Sequence, residues 1–208
     1  MNTEQAYNRW ASNYDTVVNK TRDLEAVALR EALTGLIFEN ALEIGCGTGK
    51  NTAWLLENSQ KLIAVDFSAE MLEKAKSKIL DPKIEFLQMD IRDYWPFAND
   101  NFDLTTCSLI LEHIQDLDFV FGQAQKVLRP GGHFYLGELH PFKQYQGSKA
   151  RFETENGTFL LECFTHHVSD FSSSAQKNGF EIKSINEWFD EADGAGVPRI
   201  LSMVFRKK

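Results

Sequence analysis

Three glycines at alternate positions, Gly45, Gly47 and Gly49, follow directly on the apolar run Ala41 to Ile44, and Asp66 closes the next apolar run, Leu62 to Val65. An apolar run that stops at glycine reads as a buried strand entering a sharp turn. Glycine allows positive φ there and admits a ligand to backbone that a Cβ would block. The stretch Asn51 to Leu56 carries Ala53, Trp54, Leu55 and Leu56, so a helix is expected to start between Thr48 and Asn51. Its unsatisfied N–H groups would face an electron-rich ligand. Asp66, at the end of a second strand, can accept from both hydroxyls of a ribose, and Phe67 beside it offers a flat apolar face. Ser68 is a good N-cap for a helix over Ala69 to Ile79, with Glu70 in its first turn and Met71 and Leu72 turned inward. Strand, glycine turn, helix, strand and acid, in that order, describe a nucleoside-binding βαβ unit.

Spacing narrows the nucleoside. The dinucleotide pattern G-x-G-x-x-G requires glycine at position 50 when counted from Gly45, where Lys50 stands, or at position 52 when counted from Gly47, where Thr52 stands. A phosphate-cradling loop would end in Gly-Lys-Ser/Thr. Asn51 follows Gly49-Lys50 here, and Ile44 occupies the place of that motif's leading glycine.

The remaining pattern, Glu43-Ile44-Gly45-Cys46-Gly47-Thr48-Gly49, resembles the first motif of the class I S-adenosylmethionine-dependent methyltransferases, in particular the group that includes the ubiquinone- and menaquinone-biosynthesis methyltransferases. Val65-Asp66-Phe67-Ser68 with Met71-Leu72 resembles the second motif. Gln88-Met89-Asp90-Ile91 resembles the strand end at which Asp90 meets the exocyclic amine of adenine and Ile91 borders the ring. The segment from Cys107 and Ser108 through Glu112, His113 and Ile114 resembles the family's stretch after the fourth strand, and Val127 to Gly132 resembles the turn into the fifth. The resemblance runs from about Tyr7 to Phe180. It implies an α/β, Rossmann-like, doubly wound fold with a mostly parallel seven-stranded sheet and an antiparallel last strand. It also implies S-adenosyl-L-methionine as cofactor, held by Glu43, Gly45, Cys46, Gly47, Gly49, Asp66, Phe67, Met71, Asp90, Ile91 and Ser108.

Composition agrees with one enzyme domain over residues 1–208: the 208-residue chain is 43% hydrophobic and 25% charged. A formal charge of -8 argues against dedicated RNA or DNA binding, because phosphate-tracking surfaces are basic. The polar Met1 to Trp10 stretch lacks the apolar core of a signal peptide, and no segment is long enough to span a membrane, so a cytoplasmic protein is expected. Cys46, Cys107 and Cys163 have no metal-ligand spacing, and the five histidines form no H-E-x-x-H pattern, so no metal is expected.

Two amphipathic stretches precede the first strand, one holding Tyr7, Trp10, Ala11 and Tyr14, the other running from Asp23 to Leu36. Residues 1–36 are expected to form a helical lid. Asn101 to Leu109 reads as a fourth strand, Asp116 to Leu128 as a helix and His133 to Leu139 as a fifth strand. Residues 140–167 break the α/β rhythm and suggest a substrate-side insert after strand five, a hairpin with strands at Arg151 to Phe152 and Thr158 to Phe164 and a turn at Glu155-Asn156-Gly157. Val168 to Asn178 then reads as a helix stopped by Gly179, followed by strands Phe180 to Trp188 and Ile200 to Arg206 on either side of the loop Asp190 to Pro198.

The acceptor side falls to residues outside the core motifs. Tyr7, Trp10 and Tyr14 either form a lid over the cofactor or pack the first helix onto the sheet; packing is favoured for Trp10, and Tyr14 is the better site candidate, counted with His140 and His113 on the catalytic side. His113 and His140, both at strand ends, are expected to face the crevice, where imidazole can serve as a general base for a hydroxyl; His140, at the start of the insert, is the one expected to see substrate. His113, with no chemistry, would instead line the cofactor wall. His166 and His167 either join them or end a strand. Glu112 and Glu138 read as rim acids. The leading expectation is methyl transfer by in-line displacement to a small-molecule acceptor, without nucleic-acid or membrane partners. The alternatives are a nucleotide-dependent oxidoreductase and a non-catalytic module that binds adenosylmethionine.

Overall fold

Alternation along buried strands decides how the molecule is layered. The computed structural model describes residues 3–148, 151–154, 157–190 and 196–208. In chain order these form α1 (Thr3–Trp10), α2 (Lys20–Leu33), β1 (Asn40–Ile44), α3 (Thr52–Glu57), β2 (Lys61–Asp66), α4 (Ala69–Lys78), β3 (Ile84–Gln88) and β4 (Phe102–Ser108). A 3-10 turn (Leu111–His113) then leads to α5 (Leu117–Val127), β5 (Leu128–Leu139), α6 (Pro141–Tyr145), β6 (Arg151–Thr154), β7 (Gly157–Leu160), α7 (Val168–Lys177), β8 (Phe180–Trp188) and β9 (Ile200–Lys207).

Seven strands make one sheet in the order β3-β2-β1-β4-β5-β9-β8. β1 to β5 pair in parallel, and β9 runs antiparallel between β5 and β8. The sheet is therefore doubly wound from β1, with an antiparallel last strand as the resemblance implies. β6 and β7 pair separately and antiparallel, Arg151 opposite Leu160 and Thr154 opposite Gly157; residues 155 and 156 of the expected turn lie outside the described residues.

Parallel strands covered on both faces are apolar throughout rather than alternating. Leu42, Ile44, Ile63, Val65, Cys107, Phe134 and Leu136 point to one side, under α5 and α7. There Phe121, Phe134, Phe180 and Phe205 pack mostly edge to face, with ring centroids 5.1–6.3 Å apart. Ala41, Leu62, Leu104, Tyr135 and Val204 point to the other side, where Leu29, Leu33, Leu55 and Leu56 of α2 and α3 cover them. Because side chains alternate, Glu43, Asp66 and Ser108 fall on this second face, at the carboxyl ends of β1, β2 and β4. The period-two geometry of the sheet thus delivers three polar side chains to one end.

Four boundaries differ from the sequence reading. α3 begins at Thr52, after the glycine loop, and its N-cap Asn51 makes no side-chain capping bond. β5 starts at Leu128, five residues early, through an irregularity opposite Phe102 to Leu104. Residues 161–164 form no strand; the Phe164 N–H instead donates to the Glu112 carbonyl at 2.7 Å. A short helix, α6, stands where only a break in rhythm was read, started by Pro141 at its first turn. Residues 191–195 of the loop before β9 lie outside the described residues.

Candidate active site

A cleft opens over the carboxyl ends of β1, β2 and β4, walled by the glycine loop, by Phe67 and Met71 at the start of α4, and by Met89 to Arg92 after β3. α1, α2 and the turn between them close it with Tyr7, Tyr14, Arg22 and Glu25, and Ser108 to Ile110, His113 and Ile114 form the wall after β4.

The glycine loop is shaped by two different needs. Gly45 has φ +73°, and a Cβ there would lie 2.5 Å from Cγ2 of Ile110. Its N–H and that of Cys46 both donate to the Val65 carbonyl, at 2.8 and 3.0 Å, which ties the turn to β2. Gly47 (φ +54°) has open space where a Cβ would stand, on the cleft side. Gly49 is expected at the ligand but packs against α4 instead: its Cβ position is 2.9 Å from Ile79 and 3.4 Å from Ala75, and it does not line the cleft. Cys46 also turns away, buried against Ala64 and Leu72, and burial pushes its thiol well up. Replacing Gly45 with alanine should cost about 2–4 kcal/mol, from an L residue at positive φ and a displaced Ile110. Urea unfolding checks this, and an unchanged midpoint would contradict the close fit of Gly45 against Ile110.

Asp66 is buried, at 6% exposure, with Oδ2 accepting from the Gly47 N–H and Oδ1 from the Ser68 N–H, both at 2.9 Å. Burial raises its carboxyl to about 6, partly offset by these N–H donors. Each oxygen retains a lone pair toward the cleft. Asp90 is held by the Arg92 guanidinium and backbone N–H, which keep its carboxyl below the usual range. Glu43 is buried with Oε2 accepting from Thr52 Oγ1 at 2.6 Å; burial, with the nearby Glu25 and Asp66 charges, lifts it to about 8.

A carboxyl raised in the fold stabilises the fold while it stays protonated. That contribution is whole below about pH 4.5 and is lost as pH rises toward 8. Glu43→Gln, an isostere of the neutral acid, should therefore flatten the stability profile and melt above wild type at pH 8. Parallel thermal melts at pH 5 and pH 8 with equal shifts would sink this reading.

Four histidine placements can be compared. His113 lines the cleft, its Nδ1 2.9 Å from the Glu162 carbonyl oxygen and its Nε2 3.1 Å from Tyr7 Oη. A carbonyl only accepts, so Nδ1 carries the proton and the Nε2 lone pair accepts from the Tyr7 hydroxyl. Burial, with lesser contributions from Tyr14, Glu112, Asp66 and Cys163, raises Tyr7 well above its ordinary value and keeps it a donor. His140, expected at the crevice, is not there. It is 4% exposed, its Nδ1 caps α6 by accepting from the Phe142 N–H, and its Nε2 donates to Glu187. Both nitrogens are engaged away from the cleft. His166 bonds the Ile114 carbonyl and His167 bonds Tyr145, and neither lines the cleft. Glu138, read as a rim acid, is buried and accepts from the Ile110 and Leu111 N–H groups.

α1 lies across the cleft. The Tyr7 ring meets Phe67 edge-on at 5.6 Å, and Asn8 Oδ1 accepts from Ser68 Oγ at 2.6 Å. After α1, Asp15 accepts from Thr48 of the glycine loop at 2.6 Å and pairs with Lys78 of α4 at 2.9 Å. Tyr14 lies edge-on to Trp10 and under the Arg22 guanidinium, 3.9 Å from its ring centre. The sequence reading missed Arg22, Glu25 and Asn51, which line the cleft from α2 and from the start of α3. Glu25 is 2% exposed, and it accepts from Ser108 Oγ, Asn51 Nδ2 and Tyr135 Oη. Among the described residues, no group of three or more metal-ligating side chains gathers and no helix is long and apolar enough to cross a membrane.

These elements suit an adenosyl ligand: an open glycine turn, a buried acid at the end of β2, and buried polar atoms with no partner among the described residues, Arg22 Nε and Asn51 Oδ1. The fold and cleft define an α/β domain of the kind that holds a nucleoside cofactor at a topological switch point. Residues 42–136 match the family model of a methyltransferase domain. An uncharacterised methyltransferase of Emericella nidulans is 26% identical over 88% of this chain and 77% of its own. A demethylmenaquinone methyltransferase of Clavibacter sepedonicus is 32% identical over 54% of this chain, and a ubiquinone-biosynthesis O-methyltransferase of Vibrio atlanticus 30% over 55%. The matched stretches span only 46% and 50% of those two relatives. In fold, an S-adenosylmethionine-dependent methyltransferase from Mesorhizobium loti superposes with a TM-score of 0.74 at 20% identity, covering 90% of this chain and 100% of its own. A DhpI-SAM-HEP complex superposes with 0.76 at 24%, covering 97% and 94%. The matched region, residues 42–136, is similar to a methyltransferase domain, and the fold is the one that the solved S-adenosylmethionine-dependent methyltransferases share.

Proposed function

We propose that this enzyme methylates a small molecule bound under α1, beside the wall that carries His113. The observation that carries the reading is the buried Asp66 carboxylate, held by Gly47 and Ser68 in a cleft that the glycine loop, α1, α2 and the segment after β4 wall together. S-Adenosylmethionine supplies a methyl group already activated on a sulfonium. The chain's own work is therefore to hold the two partners in line, exclude water and, where the acceptor must lose a proton, take it.

Asp66 accepts from the ribose hydroxyls, Phe67 and Ile91 border the adenine, and Asp90, oriented by Arg92, accepts from its exocyclic amine. Gly47 admits the donor to the backbone, and Gly45 lets the loop turn against Ile110. Ser108 acts one step removed, through Glu25. His113 is the base: the Glu162 carbonyl fixes its tautomer, and Tyr7 occupies the position an acceptor hydroxyl would take on Nε2. An acceptor entering there displaces the Tyr7 hydroxyl. α1 and α2 serve as the lid of a single domain, and the insert over residues 140–167 stands on the acceptor side, with Leu161 packed against Ala6, Tyr7 and Trp10 of α1. A small acceptor rather than a nucleic acid fits the formal charge of -8. The buried thiols of Cys46 and Cys107 suit the reducing cytosol.

Incubation with methyl-labelled S-adenosylmethionine and a panel of hydroxyl- and amine-bearing small molecules tests the proposal. Label should move to at least one acceptor with stoichiometric S-adenosylhomocysteine. Cofactor binding without turnover on any acceptor would make the chain a binding module instead.

A further inference from the structure

His140 joins β5 to α6, and its two ring nitrogens face partners of opposite demand. Nδ1 accepts at 3.1 Å from the Phe142 N–H, which can only donate, and Nε2 donates at 3.1 Å to the Glu187 carboxylate on β8, which can only accept. The neutral imidazole with its proton on Nε2 satisfies both. We propose that His140 is a pH-sensitive latch: neutral, it starts α6 and ties that helix to β8, and protonation of Nδ1 releases α6 and with it the wall that carries His113. The latch does not depend on which ligand fills the cleft.

α6 is five residues long, too short to persist on its own. Pro141 at its first position has no N–H, so the opening turn offers those of Phe142 and Lys143, and both return to His140. Phe142 donates to the ring, and Lys143 to the carbonyl at 2.9 Å. A proton on Nδ1 would set N–H against N–H and leave the Phe142 donor without an acceptor. The far end of α6 reaches the acceptor side. Gln144 hydrogen-bonds the carboxyl of Glu112, the residue before His113, and Tyr145 Oη meets His167 Nδ1 at the start of α7, at 2.6 Å.

His113 and His167 face tyrosine hydroxyls, which can turn from donor to acceptor, and His166 Nε2 faces the Ile114 carbonyl, which accepts in either protonation state. Only at His140, among these four, does a ring lone pair serve a backbone N–H. The charges around it come from four elements. Glu187 lies on β8 and Lys143 on α6; Arg199, whose carbonyl accepts from the His140 N–H at 2.8 Å, pairs with Asp190 ahead of β9; and Glu138 on β5 is taken up by the Ile110 and Leu111 N–H groups. Glu187 favours the imidazolium, but burial of the ring outweighs it and holds His140 below its ordinary value of 6.5. A histidine lowered in the fold stabilises the fold while it stays neutral. That contribution is whole above about pH 6.5 and is lost as pH falls through the lower, folded value.

Hydrogen exchange read by mass spectrometry between pH 5 and pH 8, corrected for the intrinsic pH dependence of amide exchange, tests this on the intact chain. In wild type, residues 141–147 should lose protection about threefold to tenfold from pH 8 to pH 5, the worth of one N-cap bond, and residues 110–114 should loosen with them. α5, capped by the Asp116 carboxylate, should hold steady as the control. His140→Asn keeps a side-chain oxygen that accepts from the first turn but does not titrate, so its α6 should stay protected at every pH. His140→Ala should leave α6 poorly protected at every pH. Flat protection of α6 in wild type would overturn the proposal, and so would a pH-dependent loss that persists in His140→Asn, which would put the sensor at another group. A loss confined to α6, with residues 110–114 unchanged, would overturn the link to the His113 wall.

Discussion

Asp66→Ala is expected to weaken S-adenosylhomocysteine binding by about 10²- to 10⁴-fold, since it deletes two hydrogen bonds from ligand hydroxyls to a buried charged acceptor. The same residue gives wild-type binding a pH dependence of known sign. Hydroxyl donors need the ionised carboxylate, and burial raises Asp66 to about 6 before ligand arrives. Affinity should therefore fall as pH drops through about 6 and level off above 7. Asp66→Asn, which cannot ionise, should bind weakly at every pH. Asp66 also anchors the Gly47 and Ser68 N–H groups. Thermal melts of each variant separate lost binding from lost structure. Calorimetry across pH 5 to 8 that found no change in wild-type affinity would contradict a ribose role for Asp66.

His113→Ala is expected to lower turnover on a hydroxyl acceptor by about 10²- to 10⁴-fold, the usual worth of a general base, while cofactor affinity stays within a few-fold of wild type. The expectation follows from the tautomer: a carbonyl oxygen on Nδ1 leaves Nε2 as the lone pair aimed into the cleft. Tyr7→Phe keeps the ring against Phe67 but removes the hydroxyl from Nε2. Its effect on turnover should be smaller, and its acceptor KM should shift, because Tyr7 holds the position the acceptor takes. Single-turnover rates that were equal in wild type and His113→Ala would remove His113 from the chemistry.

That Gly45, Gly47, Asp66 and Asp90 meet at one cleft was legible because the information is local. The glycines, Asp66 and Asp90 each sit at the end of an apolar run, and a strand end in a parallel sheet is a fixed place relative to the crevice. The two misplaced members of the glycine motif show the limit of that logic. Spacing alone does not separate Gly47, whose missing Cβ leaves space in the cleft, from Gly49, whose missing Cβ lets α4 approach.

His140 was misread for a related reason. Alternation along β5 turns Gly137 toward α2 and Glu138 to the opposite face, and His140, just past the strand, is taken up capping a helix that Pro141 starts. Arg22 and Glu25 were illegible because nothing near them in sequence marks a site. On an amphipathic helix a lone charge reads as solvated, and Glu25 gains meaning only when the sheet brings Ser108 and Tyr135 to it from 83 and 110 residues away. The Tyr7–His113 contact spans 106 residues and was hidden in the same way. The fold was more legible than the lid, since strand periodicity is written in the sequence and helix-to-helix closure is not.

A crystal structure of the chain with S-adenosylhomocysteine tests the central claim most directly. The account predicts the ribose hydroxyls on the Asp66 carboxylate, adenine bordered by Phe67 and Ile91, and the sulfur facing the space beneath Tyr7 and His113. Ligand density elsewhere on the molecule, or a ribose with no contact to Asp66, would contradict it.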